Sequence, residues 1–496
     1  MIALIVSLLS PIFIGYCLVC LVWTERPPWH QLIKGCLAIG IGYGITSCNF
    51  FLLTLAGVSS EVLSVLELVA CAALGLALIF SARRRLPDAA HGFLLEKSSE
   101  STLERVLKVA FICGLALALA AFVMHSLREP HGGDADNWDS WAQWNLRARL
   151  VHRLGTQWPA AFFFQQGSQY TPHPDYPLLL PLSVARCWVY AGSETTVVPS
   201  VLALLFAVAV VGLVYSSLCA ARGKTQGYLG ALALLGLPAF VEIGSWQYAD
   251  LPLALFILMT FVLFCFHDRS SQGHRGLLFL AGLSTGLAAW TKNEGWLFLI
   301  AVVIARPFAY GTGGWRLYLR EMFGYSIGLL PVLAVTVFFK LDFAAANDLV
   351  SGMSFRSAFW HLLDPSRYLL ISRISAEQVL NATGWVASLW ALVPYALIFG
   401  LSRKEEDKSG ITTMAVSSAI LVTGYFFVYV VTPLDLSWHL RTSVLRLLLH
   451  LWPSFVLIYF LVINAVSEQP RRSVGRVNSD ALKSDLSSNQ DSTIRY

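Results

Sequence analysis

The sequence predicts an all-α polytopic membrane protein, and three observations carry that expectation. Of its 496 residues, 56% are hydrophobic and only 13% charged, whereas soluble domains carry roughly 25% charged residues. Apolar runs of about 20 residues, enough to cross a hydrocarbon layer of ~30 Å, recur along almost the whole chain. These runs are continuous rather than alternating. That favours helices, which satisfy their own backbone in lipid, over the short alternating strands of a β-barrel.

About thirteen transmembrane helices are expected, at approximately 2–22, 33–56, 62–81, 106–124, 199–220, 227–246, 251–267, 276–292, 295–309, 322–339, 379–401, 411–431 and 449–466. The first run lacks a basic start and a small-residue cleavage site, so it reads as a retained span. After every second span come basic residues: Arg26 and Lys34, Arg83-Arg-Arg85, Arg222 and Lys224, Arg269 and Arg275, Arg316 and Arg320, Arg403, Lys404 and Lys408, then Arg471, Arg472 and Arg476. By the positive-inside rule these are cytoplasmic, which puts the N-terminus outside and the C-terminus inside. Three large intervals, at roughly 125–198, 340–378 and 432–448, then share the exoplasmic face. Leu178–Ala191 is apolar but short and is interrupted by Pro181 and Arg186. It is expected to be an interfacial or re-entrant helix, since counting it as a span would invert everything downstream.

Polarity suggests four parts: a three-span scaffold (1–81), a cytoplasmic linker (82–105), a module carrying the unusual polar residues (106–466) and a disordered cytoplasmic tail (467–496). The net charge of +5 is distributed by topology and gives no support for nucleic-acid binding. Nearly all nine cysteines lie in apolar segments. Cys17-x-x-Cys20 has a metal-like spacing but no second ligand pair, so small buried residues is the better reading.

The first large interval opens with His131-Gly-Gly-Asp-Ala-Asp-Asn-Trp-Asp-Ser-Trp-Ala-Gln-Trp-Asn-Leu-Arg-Ala-Arg149. Asp134, Asp136 and Asp139 lie among three tryptophans, just before Arg147 and Arg149. Trp141, Trp144, Ala148 and Val151 recur at helical spacing, which predicts one stripe suited to a bundle or bilayer surface. Asp139 stands near the helix start, where a plain N-cap is the competing reading. Downstream, the prolines of Thr171-Pro-His-Pro-Asp-Tyr-Pro177 forbid a regular helix and predict an extended strap displaying His173, Asp175 and Tyr176.

Asp250, in Tyr248-Ala-Asp-Leu-Pro252, reads either as a site carboxylate or as a helix cap reaching water. Glu242, two turns earlier, falls inside an expected span, where a carboxylate is costly and usually faces a cavity or partner. Trp290-Thr-Lys-Asn-Glu-Gly295 places Lys292 and Glu294 on a tight turn, as a local ion pair or as a phosphate contact. In the last interval, His439, Ser443, Arg446 and His450 form one polar stripe opposite Leu440, Val444, Leu447 and Leu451. That pattern suits an amphipathic helix on the membrane, or a face that holds an anionic head group.

All these clusters except Glu242 map to the exoplasmic ends of spans. A secondary transporter would concentrate ionisable groups near the midplane in repeated halves, and a channel would show a pore-lining pattern; neither is found. An enzyme working at the membrane–water boundary fits better. A transporter or flippase of lipid-linked saccharide, and a non-catalytic envelope-assembly subunit, are the alternatives.

Asp139-Ser-Trp-Ala-Gln-Trp-Asn-Leu-Arg-Ala-Arg149, His173-Pro-Asp-Tyr-Pro-Leu-Leu-Leu-Pro181, Tyr248-Ala-Asp-Leu-Pro252 and Thr291-Lys-Asn-Glu-Gly295, taken in order, resemble the GT-C superfamily of membrane glycosyltransferases. The likeness is to the bacterial branch related to protein O-mannosyltransferases and the lipid A aminoarabinose transferase, and it covers roughly 106–460. It implies a GT-C-like fold whose large first exoplasmic loop contains interfacial helices, in the bacterial inner membrane. It also implies an inverting transfer of sugar from a polyprenyl-phosphate donor to a hydroxyl of a cell-envelope acceptor. Asp139 takes the place of the loop carboxylate that acts as general base. The Asp-Glu pair of the protein mannosyltransferases is here Asp139-Ser140, so Asp136 stands as a second candidate. Lys292, Arg446, His439 or Arg147 would stabilise the leaving phosphate, with His173, Asp175, Tyr176, Asp250 and Glu294 as further substrate-binding residues. Asp134-x-Asp136 has the spacing of an acidic pair that holds a divalent ion in some glycosyltransferases, but nearer relatives are often metal-independent, so no cofactor is expected and a divalent metal is an alternative that is not favoured.

Overall fold

A computed structural model of the chain describes residues 1–83, 100–130, 138–159, 173, 175–270, 274–310, 314–347, 353–381, 385–402, 404 and 407–465. Eighteen α-helices run through them: α1 (Ile2–Val22), α2 (His30–Leu55), α3 (Ser60–Arg83), α4 (Thr102–Arg128), α5 (Asn145–Leu154), α6 (Leu179–Ala191), α7 (Val197–Arg222), α8 (Lys224–Leu235), α9 (Pro238–Ser245), α10 (Asp250–Arg269), α11 (Arg275–Thr291), α12 (Glu294–Ala305), α13 (Trp315–Asp342), α14 (Phe355–Leu363), α15 (Pro365–Asn381), α16 (Trp385–Phe399), α17 (Lys408–Val431) and α18 (Leu436–Val462). Among the described residues the only strand-like pairing is one bridge between Leu401 and Ile463. The architecture is that of an all-α polytopic membrane protein.

Nine of these helices are long and apolar enough to span a membrane. The expected span 227–246 is instead the pair α8 and α9, bent by 63°. Pro238 starts α9 at its first turn, where its missing N–H leaves no helical bond unmade. Three more expected spans, at 276–292, 295–309 and 379–401, contain helices of 17, 12 and 15 residues, the first at the lower end of the length a crossing needs and the other two below it. The amphipathic helix expected within 432–448 is present and is one piece with the last span. Asp435 accepts from the Trp438 N–H at 2.7 Å, and α18 then continues unbroken to Val462. The linker's middle (84–99) and the tail from 466 lie outside the described residues.

Helix α10 is the axis of the bundle, with nearly every residue from Asp250 to Phe264 buried, and it packs against α2, α7, α11, α17 and α18. Helices α11 and α13 cross closely, because a Cβ on Gly282 would stand 1.9 Å from the Tyr325 carbonyl and one on Gly328 1.9 Å from that of Phe279. Glycine on both sides lets the two backbones meet. By contrast, α3 and α4 bury almost nothing and line the outside of the bundle.

Helix α6 is the stretch expected to be an interfacial or re-entrant helix. It is short, but it is enclosed rather than superficial, with Leu179 to Trp188 buried against α1, α2 and α5. Arg186, read from sequence as an interruption, holds it there. Its guanidinium pairs with Glu67 of α3 (Nε to Oε2 2.7 Å) and donates to Ser7 O at 2.9 Å and Ser10 Oγ at 2.8 Å. Tyr190 completes the carboxylate's bonds at 3.1 Å.

Candidate active site

The site forms where the first turn of α10, the turn between α11 and α12, and one face of α18 converge. Asp250 opens α10 and is fully buried. It is therefore not a cap reaching water, and a buried carboxylate needs partners. Its Oδ1 receives Lys292 Nζ at 3.1 Å and His450 Nε2 at 2.7 Å. Its Oδ2 receives Arg446 Nη2 at 3.2 Å and Nε at 3.3 Å. The i, i+4 spacing of Arg446 and His450 on α18 delivers both side chains to one carboxylate. Tyr425 lies behind His450, 3.4 Å from Nδ1.

Lys292 follows the last residue of α11 in an extended conformation, and α12 begins two residues later. Gly295 makes this abrupt turn feasible, since a Cβ there would meet the Ala288 carbonyl at 2.0 Å. The turn is a buried branch point rather than the exposed ion pair read from sequence. Lys292 is 3% exposed and contacts Glu294 at 3.1 Å as well as Asp250. Glu294 Oε2 is buried and has no hydrogen-bond partner among the described residues.

Asp139 reaches the same group from the first large interval. It precedes a π-helical turn, Ser140–Trp144, and makes no capping bond. Its Oδ2 instead accepts from Arg446 Nη1 at 2.8 Å. Both side chains of this pair keep 20% exposure, which leaves this edge of the cluster open to a ligand among the described residues. The π turn also corrects the expected stripe. Trp144, Ala148 and Val151 are buried, but Trp141 is 46% exposed, because a wider turn shifts it off a 3.6-residue period. Tyr248 lies beneath Arg446, with its ring centroid 4.5 Å from the guanidinium carbon. Burial, and then the nearby Asp139 charge, push its phenol well up.

Gln247 sets this loop. It takes a left-handed backbone (φ 61) and is 2% exposed. Its amide accepts from Asn145 at 2.7 Å and donates to Ser200 Oγ at 3.2 Å and Pro130 O at 3.3 Å.

The strap residues form a second node. Asp175 is 1% exposed, and its Oδ2 accepts from Asn293 at 2.6 Å and Asn347 at 2.7 Å, with Lys340 3.6 Å away. Lys340 also donates to Asn293 Oδ1 at 2.6 Å. Arg147, expected beside the leaving phosphate, is fully buried and donates to the Tyr176 carbonyl at 3.0 Å and to the His173 carbonyl. Burial pushes its guanidinium down to about 10, against the raising influence of Asp175 and Tyr176, and it ties down the strap rather than facing the open edge. Tyr176 joins the two nodes, edge-on to Trp144 and 5.8 Å from Lys292 Nζ.

Two expected residues stand apart from the carboxylate group. His439 Nδ1 lies 3.1 Å from Thr432 Oγ1, its ring against Tyr429. Glu242 is exposed on the short helix α9. Asp134 and Asp136 lie outside the described residues.

Sequence reading passed over Gln247, Asn145, Tyr248 and Lys340 as site-builders, and saw His450 only as part of a stripe. Its position four residues beyond Arg446 was the available signal.

Among the described residues one metal-compatible cluster exists, His267, Asp268 and Glu321. Its His267 and Asp268 lie at the opposite end of α10, about 27 Å from Asp250 at 1.5 Å per residue. Arg306 already donates to Asp268 at 2.7 Å and to Glu321 at 3.2 Å there.

Residues 187–339 match the family model of dolichyl-phosphate-mannose-protein mannosyltransferases. This agrees with the GT-C resemblance. The matched segment contains Asp250, Lys292 and Glu294, while Asp139 and Arg446 fall outside it. No curated protein and no solved structure matches the chain.

Proposed function

We propose that the protein is an inverting glycosyltransferase. It moves a sugar from a polyprenyl-phosphate donor to a hydroxyl of a cell-envelope glycan, lipid or protein, on the exoplasmic face of the bacterial inner membrane. The observation that carries the reading is the partly open Asp139–Arg446 pair beside the buried Asp250–Lys292–His450 group.

An acceptor hydroxyl is a poor nucleophile, so Asp139 takes its proton as the oxygen attacks the anomeric carbon. The bond from that carbon to the phosphate oxygen breaks, and its electron pair leaves with the lipid phosphate. Arg446 and Lys292 neutralise the charge that grows there, Arg446 with a fork suited to two phosphate oxygens. Asp250 has no exposed surface to offer a substrate. It holds both cations and His450 in place and serves as a positioning residue. The family match supports sugar transfer, and the chain's apolar helices provide the lipid setting for a polyprenyl tail. Arg446 bridges the two carboxylates Asp139 and Asp250. The proposed chemistry is written without a metal, and Asp134 and Asp136, the pair with metal-like spacing, lie outside the described residues.

The test is mass spectrometry of envelope glycans, lipids and glycoproteins from cells carrying the wild-type gene, Asp139→Asn or no copy. One glycan modification is expected to vanish in the last two while the variant stays inserted. A near-wild-type product level in Asp139→Asn would move the base to Asp136. An intact donor relocated across the membrane would replace transfer with transport.

A further inference from the structure

We propose that Arg446 is a donor-operated lock on the general base, so that Asp139 is freed only when an anionic lipid phosphate occupies the site. The proposal rests on the glycosyltransferase reading and adds an order of events to it.

Arg446 divides its donors unequally between two carboxylates. Nε and Nη2 both address Asp250 Oδ2, and Nη1 alone addresses Asp139 Oδ2. The Asp250 side is anchored, because that carboxylate is fully buried and Lys292 and His450 hold its other oxygen. The Asp139 side is a single charge-assisted bond in a part-exposed position, where solvent screens the attraction. Of the two contacts, the one to Asp139 gives way first.

With Nη1 in place, Asp139 Oδ2 is already bonded to a donor, and the carboxylate is held toward Arg446 rather than toward an arriving acceptor. A phosphate at the open edge competes for Nη1 without needing Arg446 to leave Asp250. As Nη1 turns to a phosphate oxygen, Asp139 Oδ2 recovers its lone pair and faces the acceptor. When the sugar has moved, the lipid phosphate carries more negative charge and keeps Arg446. Its departure restores the pair. Acceptor arriving at an empty site meets a masked base, and donor binds first.

The experiment needs no turnover. Affinity for a polyprenyl phosphate, with the uncharged polyprenol as control, is measured on the full chain in nanodiscs for wild type, Asp139→Asn, Arg446→Gln and the double variant. Asp139→Asn replaces the charge-assisted bond to Nη1 with a weaker neutral one, so it is expected to bind the phosphate about tenfold more tightly. The gain should disappear in the Arg446→Gln background. If Asp139→Asn tightens binding equally in both backgrounds, the effect is general repulsion and the lock is overturned. Unchanged or weaker binding in Asp139→Asn overturns it as well. If the wild type does not distinguish polyprenyl phosphate from polyprenol, the glycosyltransferase reading itself fails. Should Arg446→Gln not yield a monodisperse protein, Arg446→Lys serves in its place, since a lysine cannot hold both carboxylates with one fork.

Discussion

Arg446 Nη1 and Asp139 Oδ2 lie 2.8 Å apart although 307 residues separate them in the chain. The contact joins the first large interval to the last long helix, and the same guanidinium rests on Asp250 at the head of the bundle's central helix. Three regions distant in sequence are thus fastened through one side chain.

Asp250 is expected to be the most sensitive position of the group. Asp250→Ala removes the buried carboxylate that Lys292 and Arg446 share, leaving Lys292 with Glu294 and Arg446 with Asp139 as their remaining counter-charges. Breaking a buried pair in this way costs about 3–5 kcal/mol. Loss of thermal stability together with loss of polyprenyl-phosphate affinity checks this. A variant that retains both would show that Lys292 and Arg446 are held by something else.

Gly295 gives a test of the turn. In Gly295→Ala the new methyl meets the Ala288 carbonyl at 2.0 Å, a backbone atom that cannot rotate aside. Overpacking of this kind costs about 1–3 kcal/mol and displaces Lys292 from Asp250. Gly324→Ala is the control, because its methyl finds only ordinary contacts with Leu278 at 3.7 Å. Thermal midpoints and sugar transfer are expected to fall in the first variant and hold in the second.

The contrast between these positions shows what the sequence makes legible. Lipid excludes charge, so the polar motifs at Asp139, Asp250 and Lys292 stand out against apolar runs, and their order identifies a site. Their partners do not stand out. Asp250 before Pro252 reads as a cap because Lys292, Arg446 and His450 lie 42, 196 and 200 residues away. Helical periodicity failed at Trp141 because one π turn changes the angle per residue without changing composition. It also failed to distinguish an interfacial α6 from an enclosed one, since Glu67, which neutralises Arg186, lies 119 residues upstream.

Gln247 tests the loop that carries Tyr248 and Asp250. A non-glycine residue at φ 61 is held against its backbone preference by the bonds from its amide. Gln247→Ala keeps the strain and removes the bonds, whereas Gln247→Gly removes both. Turnover is expected to drop in both variants, and stability should fall further in Gln247→Ala, by about 1 kcal/mol. Equal stability of the two would mean that the left-handed backbone carries no cost at this position.

The Glu67–Arg186 pair tests how the outer helix α3 is attached. Helix α3 buries only Leu63 among its apolar residues, so packing alone fixes it weakly. Arg186 is enclosed, with contacts to Glu67, Ser7 and Ser10 that satisfy its guanidinium from two helices. Glu67→Leu leaves that charge buried without its partner and is expected to cost about 3–5 kcal/mol. Removing both charges with Glu67→Leu and Arg186→Met together substitutes apolar packing, which for such pairs is often neutral or stabilising. The double variant should therefore recover much of the stability lost in the single one, read as the thermal midpoint in detergent. If instead the losses add, the pair does not act as a unit, and α3 is held by its contacts with α1 alone.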